Sequence, residues 1–179
     1  LPGNIAFASQ SGAMCTAVLD WARARGIGFS HFISMGDAMD TDFGDVLDYL
    51  GSDPHTRAIL LYVESIHERR EFMSAGRAAA RNKPVLVIKA GRSSAGAQAA
   101  ASHTGALAGA DAVYDAAFRR AGMLRVDTIE EIFAAVETLA RAPKFPGDRL
   151  SVITNGGGIG VMAVDRLAEL GGRLAEFSD

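Results

Sequence analysis

The stretch P-V-L-V-I-K-A-G-R-S-S-A-G-A-Q-A-A-A-S-H-T-G-A-L-A-G, Pro84 to Gly109, runs from an apolar strand into small residues broken by one imidazole. Pro84 opens the strand, and Val85, Leu86, Val87 and Ile88 form its body. From Ala90 to Gly109 only Arg92, Gln98, His103 and Leu107 carry bulk. A helical pattern follows at Ala106, Leu107, Ala110, Val113, Tyr114, Ala117 and Phe118. Strand, loop, then helix start is the place where α/β domains keep their chemistry. Ser102, Thr104 and Gly105 flank His103 with little bulk, so backbone can approach a ligand closely there.

Working outward, the same alternation repeats. Ile5 to Ala8 is an apolar run, followed by the turn Ser9-Gln10-Ser11-Gly12 and a helical stripe at Val18, Leu19 and Ala22 that ends at Gly26. Phe29 to Ser34 reads as a second strand. Asp40, Thr41 and Asp42 are candidate caps for a helix carrying Phe43, Val46, Leu47 and Leu50. Ile59 to Val63 is near-continuously apolar, as in a strand buried on both faces of a parallel sheet. A charged helix is expected from His67 to Arg81. Another runs up to Ala121 and stops at Gly122. Leu124 to Val126 reads as a short strand, and Thr128-Ile129-Glu130-Glu131 as a capped start for a helix to Arg141.

Strands alternating with helices predict parallel βαβ units with right-handed crossovers. The fold class expected is α/β, a flavodoxin-like three-layer sandwich with a mainly parallel sheet over residues 1–142. Residues 143–148 read as a linker. Residues 149–179 read as the first βα unit of a following α/β domain: strand Leu150 to Thr154, turn Asn155-Gly156-Gly157-Gly158, helix Ile159 to Leu170. This last unit resembles the first, since in each a polar or Gly-rich turn opens a helix that stops at glycine, Gly26 or Gly171.

Composition narrows the classes. Hydrophobic residues make up 49% of the 179, while aromatics are only 7%, so Ala, Val, Ile and Leu must fill the core. The net charge of −3 comes from interspersed charges without a basic stripe, which argues against nucleic acid as a partner. No apolar run approaches the roughly 20 residues of a membrane span. Cys15, the single cysteine, leaves no internal disulfide. A cytoplasmic piece of a longer chain is the expectation, with Leu1-Pro2-Gly3 read as a cut linker.

Candidate chemistry sits at the turns. Ser9 to Gly12 and Asn155 to Gly158 place small or polar residues where a helix begins, and free N–H groups with the positive dipole end suit phosphate there. Ordinary capping would use the same residues. Neither turn is a Walker A loop, and Gly156-x-Gly158 is too little for a dinucleotide fingerprint. Glu64 ends a strand at the ligand-binding rim, where a carboxylate can fix an imidazole tautomer or favour a helix dipole. Asp37, Asp40, Asp42 and Asp45 depart from EF-hand spacing and read as turn and cap residues, and no metal site is expected. His31, His55 and His67 read as structural or solvated, and Cys15 as packed within a helix.

These motifs carry a resemblance. S-Q-S-G-A (Ser9 to Ala13), D-x-D-F-x-D-V-L-x-Y-L (Asp40 to Leu50), L-Y-V-E-S (Leu61 to Ser65), K-A-G-R-S from Lys89, A-S-H-T-G-A-L-A-G (Ala101 to Gly109) and N-G-G-G-I-G-V-M-A-x-D (Asn155 to Asp165) occur in family order. The chain resembles the NDP-forming acyl-CoA synthetases, the superfamily of succinyl-CoA synthetase and ADP-forming acetyl-CoA synthetase. The resemblance implies that His103 is the phosphorylated histidine and Glu64 the acid that orients it. It also implies that Ser9, Gln10, Ser11 and Gly12, with Asn155, Gly156, Gly157 and Gly158, hold the phosphoryl group, and that Ser102, Thr104 and Gly105 support the histidine. Acyl-CoA, ADP and phosphate would interconvert with acid, CoA and ATP through an acyl phosphate and the phosphohistidine. The implied partners are a CoA-binding domain, an ATP-grasp domain on the same chain or another subunit, and a small carboxylic acid, with room for an oligomer. CoA, ATP or ADP and Mg²⁺ would serve the full enzyme, none held tightly by this fragment. Position 37 is Asp where many relatives have Asn. The alternative is a ligand-sensing domain of a protein lysine acetyltransferase fusion. Intact His103 and Glu64 favour the ligase.

Overall fold

The computed structural model describes residues 1–38, 40–104, 109–141 and 147–176, with the backbone alone for residues 100–104. The chain divides into two compact units, Leu1–Arg141 and Ala142–Asp179. In the first, strands β1 (Pro2–Ser9), β2 (Phe29–Ser34), β3 (Ala58–Val63), β4 (Val85–Lys89) and β5 (Leu124–Val126) alternate with helices α1 (Gly12–Ala24), α2 (Phe43–Ser52), α3 (Arg69–Asn82), α4 (Ser94–Thr104), α5 (Asp111–Ala121) and α6 (Ile129–Arg141). The strands form one parallel sheet in the order β2-β1-β3-β4-β5, the expected flavodoxin-like architecture.

The two-residue period of a strand explains both cores. Ile59, Leu61 and Val63 point to one face, where α2, α3 and α5 bring Leu47, Leu50, Phe72, Ala79 and Phe118. Leu60 points to the other, where α1 and α6 bring Val18, Ala22, Ile132 and Val136. Because β3 is covered on both sides, it tolerates no polar residue until Tyr62, whose ring lies on the α1–α6 side. Burying each Val, Leu, Ile or Phe among them is worth about 1.5–3 kcal/mol. Cys15 packs among these residues in α1, as expected.

The helix ends are built as their sequences suggest. Asp42 caps α2 by accepting from Gly44 N–H at 2.5 Å, and Asp45 accepts from Asp42 N–H at 3.0 Å, a reciprocal capping box. Thr128 and Glu131 make the same exchange at α6. Gly122 ends α5 in the left-handed conformation, φ +80°.

Two expectations are corrected. The small-residue stretch is not a loop: Ser94–Thr104 is helix, and His103 lies in its last turn. Ser93 starts it by accepting from Gly96 N–H at 3.0 Å, and alanine has the highest intrinsic helix propensity. Gly91, at φ +70°, turns the backbone out of β4 toward it. Gly105, and the start of the helical pattern at Ala106 and Leu107, lie outside the described residues. In the second unit the strand expected over Leu150 to Thr154 shrinks to β6 (Arg149–Leu150), paired in parallel with β7 (Arg173–Leu174) on the far side of α7 (Gly157–Glu169). β7 is its one strand neighbour among the described residues, and only over those positions does it meet a ladder partner.

At the rim opposite the C-terminal strand ends, His31, Asp53, His55 and Thr56 form a cluster that accounts for two histidines the sequence left without a role. Thr56 Oγ1 donates to Asp53 Oδ2 at 2.5 Å, His55 N–H donates to Oδ1 at 3.2 Å, and His31 Nδ1 lies 3.5 Å from Oδ2. The Thr56 hydroxyl first, then His55 and the His31 charge, outweigh burial and hold the Asp53 carboxyl down at about 2. Its ordinary value is ~3.9. A depressed carboxylate stabilises the fold fully above that value and loses the effect as pH falls toward 2. Asp53→Asn should therefore lower the melting temperature at neutral pH, and the gap from wild type should narrow as pH falls through 4 toward 2. Melting curves across that range check it, and a gap that stays constant sinks it.

Candidate functional site at the carboxyl ends of the strands

In the order β2-β1-β3-β4-β5 the connections leave β1 in one direction and β3 in the other, so a crevice opens between their carboxyl ends. Open α/β sheets bind ligands at such a switch point. The turn Ser9 to Gly12 leaves β1 there, and Glu64 and Ser65 leave β3.

Gln10 joins the two turns. It is 9% exposed, and its backbone N–H donates to the Tyr62 carbonyl at 3.3 Å. Its Oε1 accepts from Glu64 N–H at 2.7 Å and from Ser65 N–H at 3.0 Å. One carboxamide oxygen thus fixes the backbone that carries the candidate acid. The sequence assigned Gln10 to phosphate, and the structure engages its oxygen inside the protein.

The serines close the turn. Ser9, wholly buried, donates through Oγ to the Ser11 carbonyl and accepts from Ser11 N–H, both at 3.0 Å. Ser11 Oγ caps α1 by accepting from Met14 N–H at 3.3 Å. With these groups engaged, the donors that find no acceptor among the described residues are Gly12 N–H and Ala13 N–H, at the positive end of α1. Both residues are exposed, and a Cβ on Gly12 would meet nothing within 4 Å. Ala13 went unassigned in the sequence, although it follows directly from a helix starting at Gly12.

The second unit repeats this turn in detail. Thr154 Oγ1 donates to the Gly156 carbonyl at 3.2 Å and accepts from Gly156 N–H at 3.0 Å, the pattern of Ser9 and Ser11. Gly156 is the N-cap of α7, Gly160 N–H returns to its carbonyl at 3.2 Å, and added Cβ atoms at Gly157 and Gly158 would meet open space. Thr154 is the residue missed here, because the sequence reading treated it as strand. Asn155 occupies the position of Gln10 and is exposed.

Around Glu64 the electrostatics are local. Among the described residues no side chain donates to its carboxylate, and it is half-buried. Burial, and secondarily the Glu64 charge, push the Tyr62 hydroxyl up. On the neighbouring strand Lys89 is 2% exposed, and burial pushes its ammonium below the ordinary lysine range, with Asp111 and Glu64 opposing and Arg125 assisting. The sequence showed no cation at this rim, since Lys89 reads as the end of an apolar strand. His103 lies on α4 after β4, with Ser102 and Thr104 beside it on the helix backbone. Asp42 and Asp45 are capping residues, and among the described residues no group of three or more His, Cys, Asp or Glu side chains is arranged so that it could hold a metal ion.

Residues 2–139 match the model of the succinyl-CoA ligase-like flavodoxin domain. The chain is 48% identical to the alpha subunit of ADP-forming acetate–CoA ligase I of Pyrococcus furiosus, over 96% of this chain and 37% of that one. It is 45% identical to ADP-forming acetate–CoA ligase I of Archaeoglobus fulgidus, over 98% and 25%. Acetyl-coenzyme A synthetase 1 of Candidatus Korarchaeum cryptofilum, solved in complex with phosphate and ADP, superposes with a TM-score of 0.89 at 41% identity, over 99% of this chain and 39% of that one. The chain therefore spans a quarter to about two-fifths of these proteins' lengths.

The Gln10 contacts predict a measurable loss. Gln10→Leu removes the acceptor of Glu64 N–H and Ser65 N–H, and an unsatisfied buried donor costs about 1–3 kcal/mol. Denaturant unfolding should show a loss in that range, while Gln10→Glu, which keeps an acceptor, should lose less. Equal losses for both would show that the oxygen is not what matters.

Proposed function

The chain belongs to the succinyl-CoA ligase-like flavodoxin domain family, and on that premise we propose that it is the phosphohistidine-bearing part of an ADP-forming acyl-CoA synthetase. The observation that carries the reading is the switch point, where the Gln10 oxygen holds the Glu64 backbone beside the open N–H groups of Gly12 and Ala13. An acid and an anion-seeking helix end are what an imidazole needs in order to accept and hold a phosphoryl group.

The chemistry balances without further reagents. A phosphate oxygen attacks the thioester carbonyl of acyl-CoA, the C–S bond breaks, and CoA leaves as thiol with an acyl phosphate formed. A nitrogen of the His103 imidazole attacks phosphorus and the P–O bond to the acyl group breaks, releasing the carboxylic acid. ADP then takes the phosphoryl group from His103 and leaves as ATP. Glu64 orients the ring by accepting its other N–H. Gly12 and Ala13 donate to the phosphoryl oxygens, and the second-unit turn, Asn155 to Gly158, offers an equivalent set. Ser102, Thr104 and Gly105 support the imidazole. CoA and nucleotide bind on a CoA-binding domain and an ATP-grasp domain, on the same chain or another subunit. Mg²⁺ belongs with the nucleotide, and the described carboxylates of this chain do not converge to hold it.

The acid is a small carboxylic acid, acetate or another. The second unit reads as part of another α/β domain, a reading supported by the exposure of Ile153 before α7 and of Ile159 and Met162 on it. Substrates such as CoA and ADP place the enzyme in the cytoplasm. Among the described residues no helix is long and apolar enough to cross a membrane. The relatives reported above are ligases, and nothing in them favours the acetyltransferase-fusion reading.

The test is chemical. Full-length protein given labelled ATP and Mg²⁺ should acquire acid-labile, base-stable phosphate on the peptide containing His103, and His103→Ala should abolish it. Glu64→Gln, of nearly the same size, should slow labelling by roughly a hundredfold or more without shifting the melting temperature. Label surviving in His103→Ala removes the carrier; a wild-type rate in Glu64→Gln removes the orienting acid.

A further inference from the structure

The side chains of Ser94 to Ala99 on α4 are exposed or half-buried, and the helix that carries His103 is gripped at its two stems. The stem leading in is Ala90 to Ser93. Lys89, the last residue of β4, donates through Nζ to the Ala90 carbonyl. The same Nζ lies 4.6 Å from the centre of the Tyr114 ring on α5. Arg92 pairs with Asp127, just past β5, at 2.7 Å. The stem leading out is the start of α5. Its first residue, Asp111, receives Arg125 Nη2 from β5 at 2.6 Å, and Arg125 Nη1 lies 3.7 Å from Asp115 one turn on. Lys89 therefore touches both stems, and Arg125 and Asp127 grip one each.

These are costly residues to keep inside. Lys89 is 2% exposed, and the Arg125 side chain is 12% exposed with its Nε buried and without a hydrogen-bond partner. Apolar residues of the same size often serve a core as well or better, so buried cations indicate a demand other than stability. Here the demand is directional. A cation that accepts no hydrogen bond must face a carbonyl, a carboxylate or a ring face, which fixes where each stem leaves the sheet.

We propose that Lys89 and Arg125 are positioning residues for the phosphoryl carrier, tying both stems of the His103 segment to the ends of β4 and β5. The inference rests on the reading of His103 as that carrier. With both stems fixed to neighbouring strands, the imidazole returns to the same place relative to Glu64 on each cycle.

The full-length protein tests this with Lys89→Met, Arg125→Met and the charge exchange Arg125→Asp with Asp111→Arg. Three quantities are read: His103 labelling from acetyl-CoA with phosphate, amide hydrogen exchange in residues 90–94 and 110–114, and the melting temperature. Each methionine variant should melt no earlier than wild type by more than a few degrees and label His103 on the order of tenfold to a hundredfold more slowly, the scale of a small misplacement, with faster exchange in both stems for Lys89→Met and in residues 110–114 for Arg125→Met. The charge exchange should recover part of the Arg125→Met loss. Unchanged stem exchange, wild-type labelling in both methionine variants, or a labelling loss no larger than the unfolded fraction overturns the proposal. If wild type itself acquires no label, the ligase reading is what has failed, and stem exchange alone then decides whether the two cations hold the segment.

Discussion

The hydrogen bonds from Glu64 and Ser65 N–H to the Gln10 carboxamide oxygen are the constraint on which the rest depends. β1 and β3 are adjacent and parallel, with Ser9 opposite Tyr62, but beyond those residues the ladder ends and two turns diverge. Without a bridge, the Glu64 and Ser65 N–H groups would be left to water, and the second turn to its own rotational freedom. Gln10 lets a side chain do what a further ladder rung would have done. It is long enough to cross between strands roughly 4.8 Å apart and keeps two acceptor lone pairs for two donors. The acid at position 64 and the helix start at Gly12 become one rigid feature instead of two loops.

That rigidity explains why the turn closes on itself. Ser9 Oγ serves as donor and acceptor to Ser11, and Ser11 caps Met14, so the turn's polar side chains are engaged before any ligand arrives. What remains is backbone N–H at Gly12 and Ala13, which carries no rotamer to fix. Thr154 and Gly156 reproduce the loop with a different pair of residues. The chemistry retained between the units is a hydroxyl two residues before the cap. The cap itself can be serine or glycine, because the backbone of that residue makes the contact.

Much of this was legible in the sequence because it depends on periodicity. The two-residue alternation of Ile59 to Val63 and the three-to-four-residue spacing of Val46, Leu47 and Leu50 act at short range, and they placed the elements. The capping pairs Asp42–Asp45 and Thr128–Glu131 were visible for the same reason. Helix α4 was misread because Ala, Ser and Gly look alike to a reader judging bulk, whereas to the backbone alanine favours helix and Ser93 starts one. The role of Gln10 was hidden because its partners lie 54 and 55 residues away. Lys89 was hidden because burial, not residue type, makes its charge consequential. The strand Leu150 to Thr154 was overcalled because an apolar run reports a preference, and a ladder needs a partner.

Magnitudes decide how the parts share the work. One exposed helix terminus favours an anion by ~0.3–1 kcal/mol, and up to ~2 when partly buried. Two such ends together fall well short of the 8 kcal/mol or so at which enzymatic accelerations begin. The dipoles can hold a phosphoryl group, but they cannot by themselves make it transfer. Proximity can contribute about 7–11 kcal/mol when reacting groups are held in near-attack geometry. That requires a carrier whose path is short of conformational choices. Under the proposed reading the carrier sits on an alanine-rich helix whose stems are held by Lys89 and Arg125, with Glu64 held by the Gln10 carboxamide, and so has few. On that proposal the larger share of any acceleration would come from restricting where the imidazole can be, and the smaller share from attraction once it is there.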